Sequence, residues 1–357
     1  MTDFSMVDDI DSIAANLSNP EFIGLDTEFM REKTFFAELC LVQISTENDI
    51  YCVDPLGAAD MALFWRNAMQ TSWVVHSARQ DIEVIYQAAE RMPSGLFDTQ
   101  VAAGLLGYAP QLGYANLVSE LFNVDIPKSH TRADWSRRPL SDAVLQYAAE
   151  DVEYLLPARD ILCEKLDQLG RLHWADEDSA LLLDPKLYDI DPQAAIKRLK
   201  GARNLRGRRR SAAARLAAWR EREALRANRP RQWIARDNML MDIAATLPES
   251  SKDLENIADM PSGLIRRSGK RLLEIVAESA ADKNNHQPPP TPSEAQKALL
   301  KKMQKEVTSR AEALGLAAET IAPKKELSAA IVDGTQDSRV FSGWRREVVG
   351  DDLLKLL

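Results

Sequence analysis

Apolar runs of strand length are confined to the first part of the chain. Three of them lie within residues 21–56, and the last is followed by the turn formers Asp54, Pro55 and Gly57. The runs are Phe22–Leu25, Leu39–Ile44 and Ile50–Val53. Three successive strands of this length predict an antiparallel meander.

Helical patterns follow the predicted meander. They cover residues 58–69, 78–89, 99–106, 114–122 and 142–169, with one short apolar strand at Trp73–Val75. This order predicts a mixed sheet covered by helices. After Asp191 and Pro192 the chain becomes rich in Ala, Arg and Glu and strand patterns stop, so the second half is predicted to be helical.

A proline-rich stretch divides the predicted helical half. His286–Pro292 (HQPPPTP) cannot continue a helix and is predicted to be an extended linker between modules 207–285 and 293–357. With residues 1–190 as an α/β domain, the 357-residue chain would hold three domains.

Composition narrows the class of protein. The longest apolar stretches are far shorter than the roughly 20 residues of a membrane-spanning helix, so we expect a soluble chain without a membrane partner. Met1–Ile10 lacks the basic start and apolar core of a secretory signal, which predicts a cytoplasmic protein. Cys40, Cys52 and Cys163 are widely separated, which predicts reduced thiols rather than a disulfide framework or a zinc site.

Charge is distributed unevenly. The net charge is −9, yet fourteen Lys or Arg residues lie between Lys197 and Arg231 against only Glu221 and Glu223. Such a segment could bind phosphates of a nucleic acid. The alternative is a solvated helix face whose arginines pair with acids elsewhere.

Four acids and one tyrosine stand at positions that could converge. Asp26 and Glu28 are two residues apart at the end of a strand, so their side chains share one face. Asp81 lies near the start of the helix after the strand Trp73–Val75. Tyr147 and Asp151 are four apart in a helical pattern and also share a face.

Such a set suits phosphodiester hydrolysis, because hard oxygen ligands bind Mg²⁺ or Mn²⁺. In a two-metal site the ions lie roughly 3.5–4 Å apart, one activates a water and the other stabilises the departing oxygen. Tyr147 would orient that water. The alternative is that these are ordinary surface acids, because one Asp-x-Glu pair is weak evidence in an acidic protein.

The combination of motifs resembles a known family. Asp26–Phe29 (DTEF), His76 followed by Asp81, and Tyr147–Asp151 (YAAED) resemble the three motifs of DEDD 3′→5′ exonucleases, and the tyrosine is typical of the DEDDy branch. Three further segments resemble ribonuclease D: Leu25–Ile44, Phe97–Ala103 and Arg132–Leu140.

The resemblance implies a ribonuclease H-like exonuclease domain followed by helical bundles of the HRDC type. Module 207–285 resembles an HRDC domain, and 293–357 a divergent second bundle. It further implies two divalent cations, Mg²⁺ or Mn²⁺, held by Asp26, Glu28, Asp81 and Asp151. The expected reaction trims 3′ ends of structured RNA, especially tRNA precursors, and releases nucleoside 5′-monophosphates. No obligate protein partner is evident, so a monomer is expected, and a chain cut after about residue 205 is expected to keep a folded, metal-dependent nuclease.

Several other residues have competing interpretations. His76 is expected to be hydrogen-bonded rather than a metal ligand, and Asp98 to cap the helix that follows it. Trp135 is expected to be a packing anchor rather than a base-stacking residue. Aromatic residues after the first motif could stack on terminal bases or lie in the core; they are Phe29, Phe35 and Phe36.

Two rival functions use the same residues. A DNA 3′→5′ exonuclease would have identical chemistry, and the sequence shows no identifiable reader of the 2′-OH. A non-catalytic RNA-binding scaffold is disfavoured because all four acids and the tyrosine are present. A helicase is excluded because no G-x-x-x-x-G-K-[ST] loop occurs.

Overall fold

The computed structural model describes residues 4–7, 13, 17, 20–58, 60–127, 133–282, 292–334 and 338–357. The chain forms two compact units. The sheet unit comprises Met1–Met30, Glu38–Tyr188 and Thr291–Leu357, and the helical unit comprises Arg31–Ala37 and Asp189–Pro290. The predicted linker lies outside the described residues except for Pro292, as does most of Met1–Ile10.

One six-stranded mixed sheet forms the centre of the sheet unit, with strand order β1-β4-β3-β2-β5-β6. The strands are β1 Ser5–Val7, β2 Phe22–Met30, β3 Glu38–Ser45, β4 Ile50–Val53, β5 Ser72–Val75 and β6 Gly95–Asp98. Strands β2, β3 and β4 pair antiparallel, which confirms the predicted meander. Strands β1, β5 and β6 add parallel to it, and the short β1 and β6 were not predicted.

Among the described residues, seven α-helices follow the meander between residues 54 and 188 of the sheet unit. They are α1 Ala62–Ala68, α2 Arg79–Ala89, α3 Thr99–Leu105, α4 Tyr114–Phe122, α5 Asp142–Glu153, α6 Leu155–Gln168 and α7 Leu172–Leu181. The prediction of one helical stretch over 142–169 misses a break at Tyr154. Pro157 explains that break, because its ring would collide with the carbonyl of residue 153 in a continuous helix.

Helices α5 and α6 lie directly against the meander. The Ser45 hydroxyl on β3 donates to the Val152 carbonyl of α5 at 2.8 Å. A Cβ atom at Gly24 on β2 would collide with the Ser45 hydroxyl and come within 3.1 Å of Leu155 Cβ. The close approach at this glycine therefore fixes the height of the α5–α6 pair above β2.

The helical unit confirms the predicted all-helical second half. Its helices are α8 Gly207–Ala227, α9 Arg231–Ile234, α10 Asp237–Thr246, α11 Ser251–Glu255 and α12 Ser262–Glu278, preceded by 3₁₀ turns at Pro192–Arg198 and Ala202–Asn204. They share one buried apolar core that includes Leu216, Leu240, Ile243, Leu272 and Ile275. Burial of that core holds the bundle together.

The C-terminal helices belong to the sheet unit. They are α13 Glu294–Leu314, α14 Ala318–Ile321, α15 Lys324–Asp333, α16 Gly343–Arg345 and α17 Asp351–Leu354. Met303 and Val307 of α13 share a buried core with Leu162 and Leu166 of α6. Residues 292–357 therefore do not form a core of their own among the described residues, and the predicted domain boundary at 293 stays a prediction.

Membrane-spanning helices and disulfides were two features that the composition argued against. No helix among the described residues is long and apolar enough to cross a membrane. Cys40, Cys52 and Cys163 are all free thiols, as predicted.

Candidate active site

Asp26 and Glu28 lie on the central strand β2. The ladder between β2 and β3 is regular from Gly24 to Glu28, with Asp26 opposite Gln43 and Glu28 opposite Leu41, and it shifts after Glu28. Because side chains alternate along a regular strand, the two carboxylates emerge on the same face. The sequence predicted that Asp26 and Glu28 share one face of a strand, and the regular β2–β3 ladder agrees with that prediction.

Asp151 on α5 completes a cluster with these two acids. Carboxylate oxygens of Asp26, Glu28 and Asp151 all lie within 4.8 Å of one another. The contact between Ser45 and Val152 secures α5 at the residue after Asp151. Thus three of the four predicted acids are brought together by the sheet and one helix.

Asp81 occupies a neighbouring position. It lies in the first turn of α2 and is buried, and it accepts a hydrogen bond of 2.5 Å from the Thr27 hydroxyl. Thr27 alternates to the face of β2 opposite Asp26 and Glu28. Asp81 is not a member of the 4.8 Å cluster, but its charge raises the pKa of both Asp26 and Glu28.

Tyr147 lies one turn before Asp151 on α5. Burial raises the pKa of Asp151, and the hydrogen bond that the Tyr147 hydroxyl donates to the Asp151 carboxylate offsets part of that rise. Burial first, and then the charges of the acids, raise the pKa of Tyr147 well above its ordinary value, so the phenol keeps its proton at neutral pH. It can orient a neighbouring group by hydrogen bonding but is not a phenolate base.

Loop 133–140, part of the Arg132–Leu140 segment that the sequence analysis singled out, lies beside Tyr147. The Trp135 ring lies 6.3 Å from the Tyr147 ring, centroid to centroid. Arg138 holds this loop to the sheet by donating to both Asp54 carboxylate oxygens, at 2.5 and 2.6 Å, and to the Cys40 and Trp135 carbonyls at 2.7 Å. The paired arginines of the Arg132–Leu140 segment were visible in the sequence, but their partners were not.

Tyr114 of α4 supports the C-terminal end of α5. The Tyr114 hydroxyl donates to the Glu150 carbonyl at 3.2 Å and accepts from the Tyr154 amide at 3.0 Å. It thereby fills the gap between two backbone groups that would pair with each other in an unbroken helix. Pro157 signals that the helix is interrupted, whereas nothing local in the sequence shows which side chain enters the gap.

The metal-free cluster holds protons at neutral pH. Burial, followed by repulsion from the other acids, raises the pKa of Asp26 well above its ordinary value and that of Glu28 to about 8. Burial also raises the pKa values of Asp81 and Asp151 to about 7. Because the groups interact, these protons belong to the cluster as a whole.

The donor set fits divalent cations. All four acids offer hard oxygen ligands, the kind that Mg²⁺ and Mn²⁺ prefer. Among the described residues, no lysine or arginine contributes to the pKa shifts of Glu28 and Asp151. Within the described part of the chain, the negative charge of Glu28 and Asp151 therefore has no counter-charge from a lysine or arginine, and a cation would supply one.

The raised pKa values predict how the stability of the metal-free protein depends on pH. The folded-state pKa values lie above the ordinary ones, so the stability contributed by these acids is fully present below about pH 4 and is lost as the pH rises to the folded-state values of about 7 to 8. We expect the melting temperature of the metal-free protein to fall between about pH 4 and about pH 8. Adding Mg²⁺ at neutral pH should reverse that loss and release protons.

The measurement is a titration of MgCl₂ into weakly buffered protein with an indicator dye. At least one proton per chain is expected at about pH 7, and the yield should decline well above that pH because the acids are then already ionised. Metal binding without proton release at neutral pH would contradict the raised pKa values.

The structural roles predicted for His76, Asp98 and Trp135 are confirmed. His76 has Nδ1 2.9 Å from the Thr99 hydroxyl and donates from Nε2 to the Leu112 carbonyl at 2.8 Å. Asp98 caps α3 by accepting from the amides of residues 100 and 101. Trp135 is buried in the core beneath α5. None of these side chains is in the carboxylate cluster.

The three aromatic residues have different surroundings. Phe35 is buried in the helical unit, where the Arg231 guanidinium lies 4.3 Å above its ring and Asn228 accepts from its amide. It is therefore a packing residue. Phe29 and Phe36 are half-buried, and base stacking by them stays a prediction.

Internal pairing uses much of the basic segment 197–231, all of which the structure describes. Five arginines pair with acids: Arg198, Arg215, Arg220, Arg226 and Arg231. Three donate to backbone carbonyls: Arg206, Arg208 and Arg210. Six are exposed and bond to no described side chain or backbone group: Lys197, Lys200, Arg203, Arg209, Arg222 and Arg229. Internal pairing thus accounts for part of the segment, and phosphate binding by its exposed residues stays a prediction.

Two family models match the chain. The model described as 3'-5' exonuclease matches residues 4–167, and the HRDC domain model matches residues 194–276. The first match covers the candidate site, and the second covers most of the helical unit.

Individual relatives match nearly the whole chain. It is 39% identical to ribonuclease D of Acidiphilium cryptum over 98% of this chain and 92% of the relative. It is 36% identical to ribonuclease D of Gluconacetobacter diazotrophicus over 98% of this chain and 91% of the relative.

A solved structure has the same architecture. The crystal structure of Escherichia coli RNase D matches with a TM-score of 0.91 at 26% identity, covering 100% of this chain and 99% of that one. Together with the carboxylate cluster on its ribonuclease H-like sheet, these similarities establish that the chain belongs to the ribonuclease D family of 3′→5′ exoribonucleases.

Proposed function

We propose that the sheet unit removes 3′-terminal nucleotides from RNA with two divalent cations, Mg²⁺ or Mn²⁺, held by Asp26, Glu28, Asp81 and Asp151. The observation that carries this proposal is the convergence of three carboxylates, two of which, Glu28 and Asp151, have no lysine or arginine offsetting their charge among the residues that the structure describes. When bound, the cations supply Lewis-acid polarisation of the scissile phosphate and neutralise the charge that develops there.

The protein side chains have distinct tasks in this proposal. Asp26, Glu28 and Asp151 would hold the cations, and Asp81, anchored by Thr27, would extend the ligand set. Tyr147 keeps its proton and orients the attacking water, while its hydrogen bond to Asp151 fixes that carboxylate. No protein nucleophile is required.

We propose structured RNA as the substrate, tRNA precursors above all, with nucleoside 5′-monophosphates as the products. The Escherichia coli relative is described as an exoribonuclease involved in structured RNA processing, which supports this choice. The exposed basic residues of the helical unit offer positive charge for RNA phosphates. A monomeric state and a cytoplasmic location remain predictions from the sequence.

One assay separates this function from its rivals. The protein is incubated with 3′-extended tRNA and with single-stranded DNA of matched sequence, with EDTA and then with Mg²⁺, Mn²⁺ or Zn²⁺. We expect stepwise shortening of the RNA that EDTA stops and Mg²⁺ or Mn²⁺ restores. Preferential degradation of DNA would favour the DNA exonuclease, and binding without cleavage the inert scaffold. Restoration by Zn²⁺ alone would argue against an all-oxygen site.

The exposed basic residues give a second test, of RNA binding by the helical unit. In a cleavage-deficient Asp26→Asn background, the six exposed basic residues are changed to glutamine; they are Lys197, Lys200, Arg203, Arg209, Arg222 and Arg229. If four contact phosphates, the slope of log affinity against log salt should become shallower by about 3 units, at roughly 0.7 per contact.

The control removes charge from arginines already paired with acids. Arg226→Gln and Arg271→Gln break the exposed pairs with Glu223 and Glu278 and leave the six residues intact. The control should change the slope by less than about 1 unit. Equal slopes for wild type and the six-residue variant would show that the basic segment only solvates and stabilises the helical unit.

A further inference from the structure

Gln43 is a buried amide without a partner. It lies in the middle of β3 and is fully buried. Neither its Oε1 nor its Nε2 atom has a hydrogen-bond partner among the described residues. Burying a primary amide in this way costs free energy, and most buried polar side-chain atoms in proteins are hydrogen-bonded. An unpaired buried amide at this position therefore points to a partner that is present when the site is in use.

The sheet register places Gln43 next to a site residue. Gln43 is directly opposite Asp26 in the antiparallel β2–β3 ladder. Directly opposed residues have Cβ atoms about 4.5–5.5 Å apart on the same face, so a glutamine amide can reach an aspartate carboxylate across the pair. This is also the face that α5 covers, because Ser45, two residues along β3, bonds to Val152.

The other strand neighbours on this face are poor hydrogen-bond partners for Gln43. Leu41 is apolar, and the Ser45 hydroxyl is already committed to the Val152 carbonyl. Cys52, opposite Gln43 on β4, is a buried thiol and only a weak hydrogen-bonding group. Among the residues directly opposite Gln43 and those two along β3, Asp26 is the strong acceptor, whereas Glu28 is a diagonal neighbour at about 7–8 Å.

We propose that Gln43 is a positioning residue for the catalytic cations: its amide N–H donates to the Asp26 carboxylate when Asp26 acts as a ligand. The inference rests on the proposed metal site. A ligating carboxylate has a lone pair left for an outer hydrogen bond, and such bonds orient the ligand and raise metal affinity. Gln43 reaches neither substrate nor solvent, since it is fully buried beneath α5.

The test measures metal binding without RNA. Gln43→Met keeps the length of the side chain and removes the amide. Calorimetric titration with Mn²⁺ should show affinity about 10- to 100-fold weaker than in the wild type. The melting temperature of the metal-free variant should be equal or higher, because an unpaired buried amide has been replaced by an apolar group.

The control is the same substitution elsewhere in the sheet unit. Gln87 on α2 donates to Glu83 at 3.4 Å, and Gln87→Met should leave Mn²⁺ affinity unchanged. If Gln43→Met does not fold, Gln43→Asn, which shortens the amide by one methylene, must weaken Mn²⁺ binding in its place.

The outcomes separate this inference from the proposed function. Wild-type binding of Mn²⁺ together with unchanged affinity in the folded Gln43 variant would overturn the role of Gln43 alone. A wild-type chain that binds no Mn²⁺ would overturn the metal site and, with it, the role of Gln43. Weakened binding confined to the Gln43 variants supports the inference.

Discussion

Replacing Asp26, Glu28, Asp81 or Asp151 by its amide counterpart will lower the rate of RNA hydrolysis by about 10³-fold or more. Each substitution removes one negative charge from the ligand set, and metal ions supply several kcal/mol of transition-state stabilisation that depends on their correct binding. At 1.36 kcal/mol for each tenfold change, a loss of about 4 kcal/mol corresponds to this factor. The effect should be smallest for Asp81, which lies outside the 4.8 Å cluster.

These variants should remain folded. Burial first, and then repulsion from the neighbouring acids, raises the pKa values of Asp26 and Glu28, so replacing one acid by a neutral amide removes an unfavourable buried charge from the metal-free protein. We therefore expect metal-free melting temperatures equal to or above that of the wild type. A variant that loses both its activity and its folded state would contradict this prediction.

The measurement is single-turnover cleavage of 3′-extended RNA at saturating enzyme. Asp142→Asn is the matched control, because Asp142 is an exposed acid at the start of the same helix as Asp151. Tyr147→Phe should be slowed but still bind Mn²⁺, since it loses only a hydroxyl. Near-normal turnover in any of the three cluster variants would remove that residue from the site.

Local periodicity explains why much of the site was predictable. Asp26 and Glu28 share a face because a strand alternates, and Tyr147 and Asp151 share one because a helix repeats every 3.6 residues. Both patterns extend over a few residues and so can be read from sequence alone. The position of Asp81 could be anticipated only by its place after a strand, and its bond to Thr27 emerged from the packed structure.

Long-range contacts account for what the sequence did not reveal. The partner that enters the break after Asp151 comes from Tyr114, nearly forty residues earlier in the chain. The arginines of the basic segment look alike in sequence, yet Arg220 is buried against Asp237 while Arg222 is exposed. Only tertiary packing distinguishes an arginine that stabilises a bundle from one available for RNA.

The C-terminal helices provide the clearest case of long-range contacts that the sequence did not reveal. Arg345 is almost fully buried and donates to both carboxylate oxygens of Asp178 on α7, one contact measuring 2.7 Å. It also donates to the carbonyls of Thr320 and Ile321 at 3.0 Å. The adjacent Trp344 stacks on Trp174 with ring centroids 4.3 Å apart. A buried ion pair and a stacked aromatic pair thus join α16 to α7.

These contacts argue against the expectation that a chain cut after about residue 205 stays folded. Such a cut would delete Arg345 and Trp344 and leave Asp178 without its buried cation. It would also uncover the apolar surface of α6 and α7 that Met303 and Val307 bury. Loss of RNA binding in that truncation would report unfolding, so the point variants in the basic segment are the proper test.

Asp178→Asn should therefore destabilise the protein by about 3–5 kcal/mol, because removing one partner leaves the Arg345 charge buried and uncompensated. Urea denaturation of the metal-free protein, followed by tryptophan fluorescence, measures this loss. The matched control is Asp351→Asn, which breaks the exposed pair with Arg346 and should cost less than about 1 kcal/mol. The double variant Asp178→Leu, Arg345→Met should recover much of the loss, since replacing both members of a buried pair by apolar residues is often close to neutral. A loss below about 1 kcal/mol in Asp178→Asn would mean that the C-terminal helices contribute little to the sheet unit, and the truncated nuclease would again be expected to fold.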